Sequence, residues 1–265
     1  MGSATREALA SSRAALSAQG GTADLATGES LLEAGRVVGS SLQLLAALAD
    51  PSADAAAKIA LVNSVFSSGV TPRALELLQA VASERWSSHG DLLAGIEDLG
   101  IRAVAASAPA GVSVESELFA FGATVSSDSG LELALASKLG AADAKADLVD
   151  TLLAGKASAQ TLAIVRHLVL QPRGRRIGEL LSHAASVVAD QAGAAVATVS
   201  SATVLPAEQL TRLKTELARR YGRELSVNLV IDPALVGGLR IQIGDDVIDG
   251  SVATRLNDLR IQLAG

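Results

Sequence analysis

Leu225-Ser-Val-Asn-Leu-Val-Ile231, Asp232-Pro-Ala-Leu235-Val-Gly237-Gly238-Leu239, Arg240-Ile-Gln-Ile-Gly244-Asp-Asp-Val-Ile-Asp249-Gly250-Ser251 and Val252-Ala-Thr-Arg-Leu-Asn-Asp-Leu-Arg-Ile-Gln-Leu263 decide the fold. Leu225, Val227, Leu229 and Ile231 alternate with other residues, the period of a half-buried strand. Asp232-Pro233 stops that strand, because proline has no N–H for the ladder. Gly237-Gly238 permits positive φ or a bulge. Leu239, Ile241 and Ile243 alternate again, Gly244-Asp245-Asp246 makes a short hairpin loop, and Val247-Ile248 is the return strand. Asp249-Gly250 turns the chain once more. Ser251 is placed to cap a helix whose apolar seam is Val252, Leu256, Leu259 and Leu263.

Upstream, Ala194–Ala202 reads as a strand, and Pro206 opens a helix through Leu210, Leu213 and Leu217 that Tyr221-Gly222 closes. Strand, helix, strand, hairpin and helix make residues 194–265 a small α+β domain. This ordered pattern resembles the C-terminal signature of the delta subunit of F-type ATP synthases, the oligomycin-sensitivity-conferring protein family. The residues that fall in place are Asp232, Leu235, Gly237, Gly238, Leu239, Gly244, Asp249, Gly250 and Ser251.

Everything before residue 194 reads as helix. A first helix covers about 4–19 with Ala8, Leu9 and Leu16, and Gly20-Gly21 breaks it. One long pattern runs from about 23 to 49. Asp50-Pro51-Ser52 starts the next, through Ile59, Val62 and Phe66. Thr71-Pro72 caps another, with proline at the first helical position. Leu92, Leu93, Ile96 and Leu99 mark a further one, and Pro109-Ala110-Gly111 punctuates. At a spacing of 87 residues the apolar pattern repeats: Leu31 with Leu118, Leu48 with Leu135, Leu61 with Leu148, Leu75 with Leu162, Val81 with Leu168, and Lys58 with Lys145. The expected fold is therefore mainly α: a bundle over 1–110, a second bundle over 111–193 that repeats it, and the α+β domain. The family resemblance implies one small helical bundle; this chain carries two.

Bulk properties exclude several classes. Of 265 residues, 49% are hydrophobic but only 2% aromatic, so cores must close through Ala, Leu and Val. No uninterrupted apolar run approaches the roughly 18 residues of a membrane span, and no signal-peptide core opens the chain. Cysteine is absent, which removes disulfides and thiol chemistry. A net charge of -6 and pI ≈ 5.1 argue against a duplex nucleic-acid binder. The three histidines, His89, His167 and His183, lack metal-ligand spacing and read as surface or helix-end residues. There is no P-loop, and Gly237-Gly238 precedes a strand rather than a phosphate-binding helix. Asp245, Asp246 and Asp249 read as a solvated turn. Arg173, Arg175 and Arg176 read as a solvated face or as salt-bridge partners of an acidic neighbour.

No catalytic, cofactor or metal residue is assigned. The resemblance implies a non-catalytic stator subunit, peripheral on the cytoplasmic face of the cell membrane, that needs no cofactor. It would hold N-terminal segments of the ATP synthase alpha subunits and the C-terminal helices of b-type stalk subunits. Leu9, Leu16, Leu92, Leu93 and Ile96 would supply the alpha-subunit surface, though each reads equally as plain core, and Leu259 and Leu263 the b-subunit surface unless they too are core. The alternative is a stand-alone α+β enzyme or ligand-binding protein with an unrecognised site.

Overall fold

The structure, a computed structural model, describes residues 2–19, 24–137, 142–193, 195–222, 225–232, 235–243, 246–250 and 252. It divides into two compact units, 1–188 and 189–265. The first is helical: α1 (Ser3–Ala18), α2 (Leu25–Ser40), α3 (Leu42–Ala49), α4 (Ala55–Phe66), α5 (Pro72–Ser83), α6 (His89–Ala106), α7 (Val114–Ser127), α8 (Ser129–Ala136), α9 (Ala142–Leu153), α10 (Ala159–Leu170) and α11 (Ile177–Gln191).

Short polar side chains start these helices. Asp24, Ser41, Asp54, Thr71, Ser88, Ser113, Asp128 and Ser158 each accept a backbone N–H of the first turn. Ser41 explains a correction. The single helix expected over 23–49 is two helices bent by 105°, because Ser41 takes extended backbone and its Oγ accepts from Leu44 N–H. Asp128 makes the same break between α7 and α8. The pairs α3/α8, α4/α9 and α5/α10 have identical bounds at the 87-residue spacing.

Two apolar cores lie within this one unit. The first draws on α1–α6, with Leu16, Leu31, Leu48, Val62, Leu77, Leu92 and Leu99. The second draws on α7–α11, with Leu118, Leu135, Val149, Ile164, Leu168 and Leu180, but also on Leu32 of α2 and Ile101 and Val104 of α6. The segments 1–110 and 111–193 are thus halves that share a wall rather than separately closed bodies. Along α6 the ten residues from Gly95 to Val104 are all buried. Its closest neighbour is α2, where a Cβ on Gly28 would run into the backbone of Val104.

α6 stands to the second half as α1 stands to the first. Thr5 of α1 bonds Ser87 in the α5–α6 loop, and Gln19 at the end of α1 donates to the carbonyl of Arg73 on α5. Glu97 of α6 pairs with Arg173 and Arg175 in the α10–α11 loop. At the end of α6, the Ser107 carbonyl accepts from Gln160 of α10, the residue 87 positions after Arg73. One helix closes one bundle and opens the next.

Two adjacent carboxylates on α6 divide the polar work. Asp98 takes a bidentate pair from Arg13 of α1, at 2.8 and 3.1 Å, and Arg102 at 2.8 Å. Glu97 takes Arg173 at 2.8 Å, Arg175 at 2.9 and 3.0 Å, and His167 Nε2 at 3.4 Å. Arg36 of α2 lies 3.5 Å from the other nitrogen of His167. His167 is therefore not the surface residue expected from the sequence; it is 1% exposed and seated between helices. Of the arginine cluster, Arg173 and Arg175 are salt-bridge partners of an acidic neighbour, and Arg176 is exposed. Burial opposes the charge on Glu97, but His167 and the two arginines outweigh it and hold the carboxyl at about 2. Burial holds His167 below its ordinary value.

The second unit is a four-stranded sheet in the order β2-β1-β3-β4. β1 (Ala195–Ser201) pairs parallel with β2 (Leu225–Ile231) and antiparallel with β3 (Leu239–Ile243), which pairs antiparallel with β4 (Asp246–Asp249). The crossover is α12 (Ala207–Tyr221), ended by Gly222 in the left-handed region. Ala197, Val199, Leu225, Ile241 and Ile243 close against Leu217 of α12. Among the described residues no single helix is long and apolar enough to cross a membrane; α2 and α3 qualify only as a bent pair.

Two outcomes follow from this packing. Gly28→Ala should destabilise the protein by about 1–3 kcal/mol through overpacking against Val104. Gly69→Ala, with open space around its Cβ, should stay within about 0.5 kcal/mol; urea midpoints of both variants decide. The second concerns acid. A depressed folded pKa means stability that is lost as pH falls through the unfolded value toward the folded one. His167 should cost stability as pH drops below about 6.5, and Glu97 between about 4.5 and about 2. Urea midpoints from pH 7 to 3 should fall in both windows, and His167→Gln should shrink the upper one, leaving the part that His183, also held low by burial, contributes.

Candidate docking site in the C-terminal unit

Of the signature residues, Asp232, Leu235, Gly237, Gly238, Leu239, Asp249 and Gly250 lie at the end of the sheet where β1 and β2 finish and β3 begins. β2 ends at Ile231 opposite Ser201, and the N–H of the next residue, Asp232, donates to the Ser201 carbonyl at 2.8 Å. Leu235 N–H returns to the Asp232 carbonyl at 3.1 Å, closing a turn. Gly238 has φ +84, a conformation that excludes most L side chains. It lets the chain reverse into Leu239.

Two backbone bonds then tie this turn to the far end of the hairpin. Gly250 N–H donates to the Leu239 carbonyl at 2.9 Å, and Val252 N–H to the Gly237 carbonyl at 3.0 Å. The glycines thus fix main-chain geometry. Asp249 is an exposed residue of β4, opposite Arg240. Gly244, Ser251, Leu259 and Leu263 lie outside the described residues.

What this scaffold presents is apolar. Ile231 is 56% exposed, Val236 81% and Val204 72%, with Val252 beside Gly237 also exposed. The backbone places Ile231 next to Ser201, Val204 three residues past Ser201, and Val236 and Val252 on the pinned turn. Four β-branched side chains at one sheet end form a rim whose burial on a partner would be favourable. Between α12 and the β3–β4 hairpin, a cleft of about 520 Å³ has a floor of Leu217, Ile241 and Ile248 and walls of Glu216, Arg219 and Arg220. The sequence pointed to the turn but not to the rim. Val204 and Val236 sit in irregular segments, where no periodicity marks a face.

The residues named for an alpha-subunit surface lie in the core, the alternative that their pattern also allowed. Leu9, Leu16, Leu92 and Ile96 are buried in the first core, and Leu93 packs half-buried against it. They hold α1 on α6. Among the described residues no group of three His, Cys, Asp or Glu side chains could hold a metal ion.

A profile of the ATP synthase delta (OSCP) subunit family matches residues 102–263. The chain is 57% identical over all 265 residues to ATP synthase subunit delta of Leifsonia xyli, with both chains covered completely. It is 43% identical to that of Kineococcus radiotolerans, over 94% of this chain and 91% of the relative, and 36% identical to that of Streptomyces griseus, over the whole of both. At 18% identity and a TM-score of 0.40, 64% of this chain aligns with 96% of a chain in the mitochondrial ATP synthase hexamer of Toxoplasma gondii. Relatives matched over nine-tenths or more of both chains and a profile over residues 102–263 agree: the chain belongs to the ATP synthase delta (OSCP) subunit family.

Proposed function

We propose that this chain is the stator link of a proton-translocating ATP synthase. It joins the catalytic head to the peripheral stalk so that rotation is coupled to synthesis, without an active site of its own. The observation that carries the reading is the division of labour within one chain: a helical unit with two cores joined through buried ion pairs, and a separate small sheet with an apolar rim. A part that resists torque needs packed helices and partner surfaces rather than reacting groups.

The first half of the helical unit, 1–110, holds N-terminal segments of the alpha subunits. Leu9, Leu16, Leu92, Leu93 and Ile96 act there indirectly, by seating α1 so that its outer face meets the partner. The second half, 111–193, is a duplicate of the first that extends the link. The C-terminal unit, 194–265, takes the C-terminal helix of a b-type stalk subunit on the rim of Val204, Ile231, Val236 and Val252, with Leu259 and Leu263 adding to that surface. The chain works at the cytoplasmic face of the cell membrane, held there by its partners.

The test is capture of the purified chain by an immobilised peptide from the C-terminus of the b-type subunit. Ile231→Ser and Val236→Ser should each weaken capture about tenfold, the size of a hot-spot truncation, with the thermal midpoint unchanged. Removal of residues 259–265 should also weaken it. Gly238→Ala should act differently: strain at φ +84 destabilises the C-terminal unit by about 1 kcal/mol or more, so capture falls together with the melting temperature. Undiminished capture by both rim variants would place the stalk elsewhere.

A further inference from the structure

The two cores of the helical unit are unequal. Every side chain of the first comes from α1–α6. The second includes Leu32 of α2 and Ile101 and Val104 of α6. If the second half left, the first would keep its own core; if the first half left, the second would lose part of its wall.

The second half is fastened at the α10–α11 loop. Arg173 has φ +50, in the left-handed region that a non-glycine residue occupies at a cost, and Gly174 follows at φ +77. This double turn sends Arg173 and Arg175 back to one carboxylate, Glu97. The Nε atoms of both arginines are buried without a hydrogen-bond partner, so their polar anchoring runs through Glu97. Gln171 at the start of the loop donates to the Gly35 carbonyl of α2 at 3.3 Å, a further polar tie beside those of Gln160 to Ser107 and of Arg36 to His167.

We propose that residues 171–176 form a releasable strap: loss of the Glu97 charge lets the second half open from α6 as a unit while the first half stays folded. The strained turn is maintained by the ion pair, and without it the loop relaxes to the ordinary region of backbone space. A neutral side chain at 97 would also leave two partly buried guanidiniums facing each other without a counter-charge. The groups around Glu97 are His167 on α10, Arg36 on α2, the two strap arginines, the exposed His183 on α11, and Asp98 with its partners Arg13 on α1 and Arg102 on α6. Glu97 stays ionised in mildly acidic solution and burial keeps His167 neutral, so the strap is closed at neutral pH and loosens under acid.

Hydrogen exchange of the full-length protein at neutral pH tests this. In Glu97→Gln, amides of the strap, α10 and α11 should exchange about tenfold faster or more, while those of α1 and α3–α5, which make no part of the second core, stay within about twofold. The single tryptophan is an independent reporter of the first half: Trp86 is buried in the first core and donates to the Val81 carbonyl at 2.9 Å. Its emission should not shift in the variant. Equal acceleration in both halves, a red-shifted Trp86, or no acceleration at all overturns the proposal. Arg175→Gln, which leaves Arg173 and His167 on Glu97, is the second variant where Glu97→Gln does not fold; it should give the same pattern at smaller size, and the same three results count against it.

Discussion

Burial of α6 on every side is the constraint on which the helical unit depends. A helix with ten consecutive buried residues cannot keep a polar face for water, yet this one carries Glu97, Asp98 and Arg102 in that run. Each buried charge costs several kcal/mol unless paired. The solution is spatial: Asp98 looks to α1 and Glu97 to the α10–α11 loop, so each carboxylate is neutralised by arginines of a different half. The ion pairs do more than offset desolvation. They specify which helix lies on which side, a choice that Ala- and Leu-rich surfaces leave loose.

The same constraint explains the shared helix. A duplicated bundle could hang from its neighbour by a linker, and the link would then bend wherever the linker bends. Here the last helix of the first half is also the first helix of the second, so no linker intervenes within 1–188. Close approach between α2 and α6 at Gly28 reinforces this. Interiors packed at such density transmit displacement rather than absorb it, which suits a part proposed to carry torque.

Much of the fold was legible because period and punctuation are local. Alternation gave β2 and β3, Thr71-Pro72 gave the start of α5, and the 87-residue spacing anticipated helix pairs whose bounds coincide. The break at Ser41 was missed because apolar residues continue on both sides of it, and a cap inside an apolar run leaves the periodicity intact. The roles of Glu97 and His167 were missed for a different reason. A charge in a helix reads as solvated unless the opposite face is also known to be covered, and that cover comes from residues 70 and more positions away. Leu9, Leu16, Leu92 and Ile96 were correctly seen as apolar stripes, but a stripe does not say whether it meets its own chain or another.

The C-terminal unit inverts the relation between motif and surface. Its described signature glycines and Leu239 serve the main chain: positive φ at Gly238, and a turn pinned through the Leu239 and Gly237 carbonyls. Its exposed side chains, Val204, Ile231 and Val236, lie beside the motif and carry no pattern of their own. Such an arrangement separates two demands. The backbone must hold one geometry, and any side-chain change there is costly. The rim needs only to stay apolar and β-branched, so that little rotamer entropy is lost when a partner covers it. A motif of this kind identifies the scaffold on which a partner is received, while the identity of the partner must be written in the rim.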